Sequence, residues 1–139
     1  MKWAHQHATV HEHSPEKDDT DTQLAISLAV RRVPARLIVI SGGGDRLDHT
    51  LAVIGALLDE DVTSIPDVSL QWGDNVATIL HGPGRATLTP PLNSTLSVMA
   101  LSAPCNGITL TGAKWPLDDE SLTVLSGRGV SNILSLIHI

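Results

Sequence analysis

Glu16, Asp18, Asp19 and Asp21 place four carboxylates, with Lys17 among them, in the six residues EKDDTD, just before the sequence turns apolar. Acids at a helix start complement the partial positive charge there, and Asp and Thr are good N-caps. Adjacent like charges repel, however, and four exceed what a cap requires. A hard cation such as Mg2+, held through one or two carboxylates and the phosphates of a substrate, relieves that repulsion. A second constellation, SGGGDRLDHT from Ser41 to Thr50, follows a run of β-branched and apolar residues. Gly42, Gly43 and Gly44 let a ligand approach the backbone, so that several N–H groups can face an anion. The helix start beyond them favours negative charge. Arg46 supplies a fork that grips a phosphate in two places, and Asp48 can orient that fork or a ligand hydroxyl. The loop is neither a Walker P-loop nor a G-x-G-x-x-G fingerprint. Its bland alternative is a glycine-rich turn with an Asp cap.

Other reactive side chains are less organised. His5 and His7, then His11 and His13, sit two apart. On a strand His11 and His13 share a face, whereas on a helix His5 and His7 diverge. With no third ligand beside them they read as solvent-exposed histidines, a zinc site being the alternative. Trp115 in TGAKWPL reads as a packing residue, or else as a stacking surface for an aromatic ligand. Cys105 has no neighbouring charge to activate it and reads as a small apolar residue.

These side chains need a scaffold, and 139 residues allow one ordinary domain or two small ones. Hydrophobic residues make up 42% and charged residues 17%, a globular balance. With no Phe or Tyr and three Trp, the core must come from Leu, Val, Ile and Ala. A net charge of −6 leaves no general basic field for nucleic acid or an anionic membrane, so neither is expected as a partner. No apolar run approaches the roughly 18 residues of a membrane span. A single cysteine and a polar N-terminus without a signal-peptide pattern lead to the expectation of a cytoplasmic protein.

Along the chain, Met1 to Ala8 reads as the end of a helix and Thr9 to His13 as a short strand. From Thr20 the spacing of Leu24, Ala25, Leu28 and Ala29 is helical, and Pro34 ends the element. RLIVIS predicts a buried parallel strand, and DRLDHTLAVIGALLDE a second helix. After about Asp67 short β-prone runs alternate with Gly, Pro, Asn and Asp, the pattern of a small antiparallel sandwich or barrel. The expected fold class is an α/β portion, the remnant of a parallel-sheet domain, followed by an antiparallel all-β sandwich. The expected units are residues 1–66 and 67–139, with the junction near Pro66.

KDDTDTQLAI, GGGDRLDHTLA, GITLTGAKWPL and GRGVSN, in that order, resemble the bacterial thiamine pyrophosphokinase family, over nearly the whole chain. The resemblance implies that the α/β portion (1–66) belongs to a nucleotide-binding domain that holds ATP, and that 67–139 is a thiamine-binding β-sandwich domain. It also implies a homodimer with thiamine held where the subunits meet, and pyrophosphate transfer from ATP to the thiamine hydroxyl. Lys17, Asp18, Thr20 and Asp21 match the family's K/Q-D-x-T-D segment, which implies Asp18, Thr20 and Asp21 at the catalytic centre and Asp21 on Mg2+. Arg46, Asp48 and His49 match the G-R-x-D-H loop which, with Lys17, lies beside the nucleotide phosphates. Ser131 and Asn132 match an S-N motif that reaches thiamine. Asp19 falls on a variable position and Glu16 outside the pattern. The alcohol's proton would pass to a carboxylate, Asp18 or Asp21.

Two departures stand out. The family's upstream G-D-x-D-S motif, which adds Mg2+ ligands, is absent, so the chain is expected to be truncated at its N-terminus and inactive or nearly so by itself. After Asn132 the family continues S-N-E-F, whereas this chain runs into ILSLIHI, so 133–139 is expected to be a non-native tail on a truncated C-terminus. Two alternatives are a related pyrophosphoryl transferase acting on a pterin alcohol and a non-catalytic thiamine-binding or dimerisation module. The KWPL and GVSN segments favour thiamine over the pterin.

Overall fold

Thr20 starts the first helix. Its hydroxyl accepts a hydrogen bond from the Gln23 backbone N–H at 3.2 Å, while the Gln23 side chain accepts from the Thr20 N–H at 3.0 Å. This reciprocal capping box satisfies two donors that a helix start leaves without partners. Helix α1 (Asp21–Val30) then turns Ile26 into the core. The computed structural model describes residues 7–41 and 46–135. The expected helix end over Met1–Ala8 and the glycines at 42–44 therefore lie wholly or mostly outside the described residues.

Strand β1 (Arg36–Ser41) follows, then helix α2 (Leu47–Leu57) and a short 3-10 helix (Glu60–Ser64). Strand β2 (Asp67–Trp72) pairs in parallel with β1, Leu37 beside Val68 and Val39 beside Leu70. The chain reverses at Gly73–Asp74, where Gly73 has φ +55°, a conformation glycine adopts without steric penalty. Strand β3 (Asn75–Ile79) returns antiparallel to β2. The sheet order is thus β1-β2-β3, and it continues past Pro66. Strands β2 and β3, read from sequence within residues 67–139, pair with β1 in the first sheet.

Ile26, Ala56, Leu57, Val62, Ile65, Val68 and Leu70 form the core of this unit, with Leu37 and Val39 packed against it. Both helices cover the same face of the sheet. The apolar run RLIVIS predicts burial on both faces, but β1 alternates: Ile38 and Ile40, pointing away from the helices, are 53% and 77% exposed. The strand expected at Thr9–His13 does not form. Its only apolar residue is Val10, and its residues are exposed, so nothing there gains by pairing.

The remaining strand pairs are antiparallel, although the isolated Ala100–Val124 bridge is parallel. Strand β5 (Cys105–Leu110) pairs with β6 (Leu117–Leu122), and β4 (Thr95–Leu96) with β7 (Asn132–Ile133). Isolated bridges Ala100–Val124 and Ala113–Leu134 tie these pairs together. Ala100, Leu117 and Leu122 are the buried centre, lined by Val98, Cys105, Ile108 and Leu110. Another 3-10 turn, Gly127–Gly129, packs on Val98, whose N–H donates to the Gly129 carbonyl at 2.9 Å. The fold is an α/β portion followed by an antiparallel β unit. Leu134 and Ser135 donate backbone hydrogen bonds to Ser94 and Gly112. Such bonds place the segment without bearing on its origin, because side-chain identity does not enter them.

Candidate active site

The segments joining α1 to β1 (31–35) and β1 to α2 (42–46) are short. Helix α2 begins a few residues after the carboxyl end of β1, and α1 packs beside the end of α2 and the 3-10 helix. In open α/β sheets the carboxyl ends of the strands are where ligands bind. Arg46, Asp48 and His49 stand at the start of α2, and Lys17, Asp18, Thr20 and Asp21 at the start of α1.

Lys17 reaches across the start of α1 and its ammonium donates to the Asp21 carboxylate. That hydrogen bond, then the Lys17 charge, holds the Asp21 carboxyl below its ordinary value, with a small further contribution from the charge of His13. The Asp21 side chain is 92% exposed, so the carboxylate is available to solvent and to an incoming cation. Thr20 is engaged in the cap, its hydroxyl donating to the Gln23 carbonyl oxygen at 3.0 Å. Its part in this site is to fix where α1 begins, and so where Asp21 points.

At the start of α2, Arg46 forms a two-point pair with Asp48. Its Nε donates to Oδ1 at 3.2 Å and a terminal N–H to Oδ2 at 2.5 Å. The Arg46 hydrogen bond is the main cause lowering the Asp48 carboxyl, helped by the backbone N–H of His49, and Asp48 in turn raises Arg46 further. Both side chains are well exposed. The fork is therefore held in one orientation at a helix start, with its charge still accessible, as an anion receptor requires. His49 is exposed beside it.

Among the described residues, no group of three or more His, Cys, Asp or Glu side chains is arranged to hold a metal ion. His7, His11 and His13 are exposed, and His5 lies outside the described residues. Asp21 offers one carboxylate, already paired with a lysine. This donor set does not fit a resident ion. It fits a Mg2+ that arrives on substrate phosphates and takes one protein ligand, the way that ion is commonly bound.

One feature escaped the sequence reading. A crevice of about 120 Å3 between α1 and the α2/3-10 segment is lined by Asp19, Gln23, Ser27, Asp59 and Asp61 over a floor that includes Ile26 and Val62. Asp19 falls on a variable position of the family pattern, and Asp59 reads as the end of a helix. Asp59 is in fact the cap of the 3-10 helix, accepting from the Asp61 N–H at 2.9 Å. Nothing local in the sequence brings those two stretches together.

Ser131 and Asn132 lie in the β unit. Ser131 is exposed at φ +60°, an uncommon conformation for a residue other than glycine, and its N–H donates to Ser97 Oγ at 3.1 Å. Asn132 is buried, 4% exposed. Its amide oxygen accepts from the Trp115 N–H at 3.0 Å and the Ile133 N–H at 2.9 Å, and its NH2 donates to the Trp115 carbonyl. Trp115 remains 49% exposed, with the Lys114 ammonium 4.6 Å from its ring centroid.

Comparison with known proteins agrees with this layout. The family model "Thiamin pyrophosphokinase, catalytic domain" matches residues 1–66, and "Thiamin pyrophosphokinase, vitamin B1 binding domain" matches 85–138. A thiamine pyrophosphokinase of Bacillus subtilis (strain 168) is 29% identical over 130 residues, 93% of this chain and 59% of the relative. The crystal structure of thiamine pyrophosphokinase from Bacillus subtilis superposes with a TM-score of 0.75 at 26% identity, over 99% of this chain and 62% of that one. That from Geobacillus thermodenitrificans gives 0.57 at 28% identity, over 86% and 54%. A family protein from Enterococcus faecalis, 21% identical, shares the fold with a TM-score of 0.69, over 96% and 63%. The chain thus spans about three-fifths of the length of these relatives. Between them the two family models leave only residues 67–84 and the last residue unmatched, and the chain belongs to the thiamine pyrophosphokinase family.

Proposed function

We propose that this chain carries part of the machinery for transferring pyrophosphate from ATP to the hydroxyl of thiamine, giving thiamine pyrophosphate and AMP. One observation carries the reading: the exposed Lys17–Asp21 and Arg46–Asp48 pairs each stand at the start of a helix. In the transfer the thiamine oxygen attacks the β-phosphorus, the bond from that phosphorus to the oxygen bridging to the α-phosphorus breaks, and AMP leaves with that oxygen. Such a step needs positioning and charge neutralisation more than covalent help. Mg2+, arriving with ATP, would draw charge from the phosphates. Asp21 would bind it in place of the Lys17 ammonium, releasing Lys17 to a phosphate oxygen. Arg46, oriented by Asp48, would grip the nucleotide beside His49. The proton of the alcohol would pass to Asp18 or Asp21. Ser131, with its exposed hydroxyl, would reach thiamine from the β unit.

A homodimer and a cytoplasmic location complete the proposal. Supporting them are the family resemblance, the single partly buried Cys105, and the finding that no helix among the described residues is long and apolar enough to cross a membrane. Calorimetric titration of the chain with Mg-ATP and, separately, with thiamine tests the reading. Binding of both is expected, with Arg46→Ala abolishing the nucleotide signal and sparing the thiamine signal. Nucleotide binding untouched by Arg46→Ala would overturn the assignment of the phosphate site. Sedimentation tests the dimer, which a monomer at micromolar concentration would exclude.

A further inference from the structure

We infer that Asn132 is a positioning residue that acts through Trp115, and that it does not itself touch the ligand. Only the consequence for thiamine rests on the function proposed above. The side chain is buried, and its amide makes a two-point bond to the backbone of Trp115, oxygen to N–H and NH2 to carbonyl, just as a paired strand would. The same oxygen accepts from the Ile133 N–H. Neighbouring backbone bonds extend the seam: Lys114 N–H to the Ile133 carbonyl at 2.8 Å, Ser135 N–H to the Gly112 carbonyl at 3.1 Å, and the Ala113–Leu134 bridge. The seam is interrupted at Trp115, because Pro116 follows and has no N–H to continue it. Asn132 supplies by side chain the pairing that the backbone cannot.

The result is a tryptophan whose main chain is fixed on both sides while the residue stays half exposed, with the Lys114 ammonium over its ring. A large aromatic surface already held in place loses little freedom when a ligand arrives. A buried amide with its oxygen accepting twice and its nitrogen engaged has little capacity left for a ligand. The sequence assigns Asn132 to ligand contact; the geometry assigns it to holding the residue that faces solvent.

A double-mutant cycle with thiamine as the probe tests this. Asn132→Ala and Trp115→Ala are each expected to weaken thiamine binding about tenfold. The double variant should bind no more weakly than Trp115→Ala alone, because both act through one ring. Losses that multiply would show Asn132 acting on the ligand independently and overturn the inference. Amide hydrogen exchange provides a readout without ligand. In the unsubstituted chain the Trp115 and Ile133 amides should be protected. Asn132→Ala should release both, while the Leu134 amide and those of Leu117 and Leu122 stay protected. Asn132→Asp keeps the acceptor, so protection at Trp115 should persist while thiamine binding weakens through the lost donor. This second variant decides the question if Asn132→Ala unfolds, and unchanged thiamine affinity in it would count against the clamp. If the unsubstituted chain binds no thiamine, the proposed function fails, and exchange at Trp115 alone decides the clamp. A Trp115 amide already unprotected in that chain would overturn it.

Discussion

Lys17 donates to Asp21 across the cap of α1, so the acidic cluster is already partly neutralised by its own lysine. The pair is exposed, and an exposed pair is readily exchanged for a stronger counter-charge. That is the behaviour expected of a carboxylate that receives Mg2+ only when phosphates bring it.

Removing the lysine should therefore move a pKa. Lys17→Met is expected to raise the Asp21 carboxyl toward its ordinary value, followed by carboxyl NMR titration. A carboxyl held low binds its proton less readily in the folded chain than in the unfolded one. The pair therefore stabilises at neutral pH, and that contribution disappears as pH falls through the carboxylate range. Lys17→Met should correspondingly flatten the acid limb of the stability curve. An unchanged Asp21 titration would contradict the pairing.

Arg46→Lys keeps the positive charge but removes the planar fork held by Asp48. Affinity for Mg-ATP should fall about tenfold by calorimetry, since a lysine cannot bind phosphate in two places. Equal affinities would mean that only charge matters at this position.

Leu57 is fully buried at the end of α2, in the core that supports both helix starts. Leu57→Ala should cost about 2–5 kcal/mol in urea denaturation, through lost burial and the cavity left behind. A loss under about 1 kcal/mol would contradict the packing described.

Gly129 sits where an added Cβ would lie 2.3 Å from the Val98 carbonyl oxygen. That oxygen is backbone and cannot swing aside. Gly129→Ala should destabilise the β unit by about 1–3 kcal/mol while leaving the α/β portion intact. Exchange at Leu117 and Leu122 should accelerate, while that at Leu57 and Val62 should not.

Much of the scaffold was legible because it depends on local chemistry. Thr20 with Gln23 three residues on is a helix start, and RLIVIS is a strand. Strands β2 and β3 were visible as strands, but not their pairing with β1, because alternation does not say which sheet edge a strand will join. Thr9–His13 reads as a short strand, yet Val10 is its only apolar residue and pairing there would bury little. The site followed the same division. Arg46 and Asp48 stood out beside the glycines, whereas Lys17 and Asp21 were singled out from the acidic run by the family resemblance. The partnership of Asn132 with Trp115 spans 17 positions in sequence and shows only once the β unit is folded.

The most direct measurement is product identity. The chain would be joined to the residues of the Bacillus subtilis relative that the match leaves uncovered, then supplied with Mg-ATP and thiamine and followed by phosphorus NMR. AMP and thiamine pyrophosphate should appear in equal amounts, and Asp21→Asn should abolish both. Formation of ADP, or turnover that survives Asp21→Asn, would contradict the account.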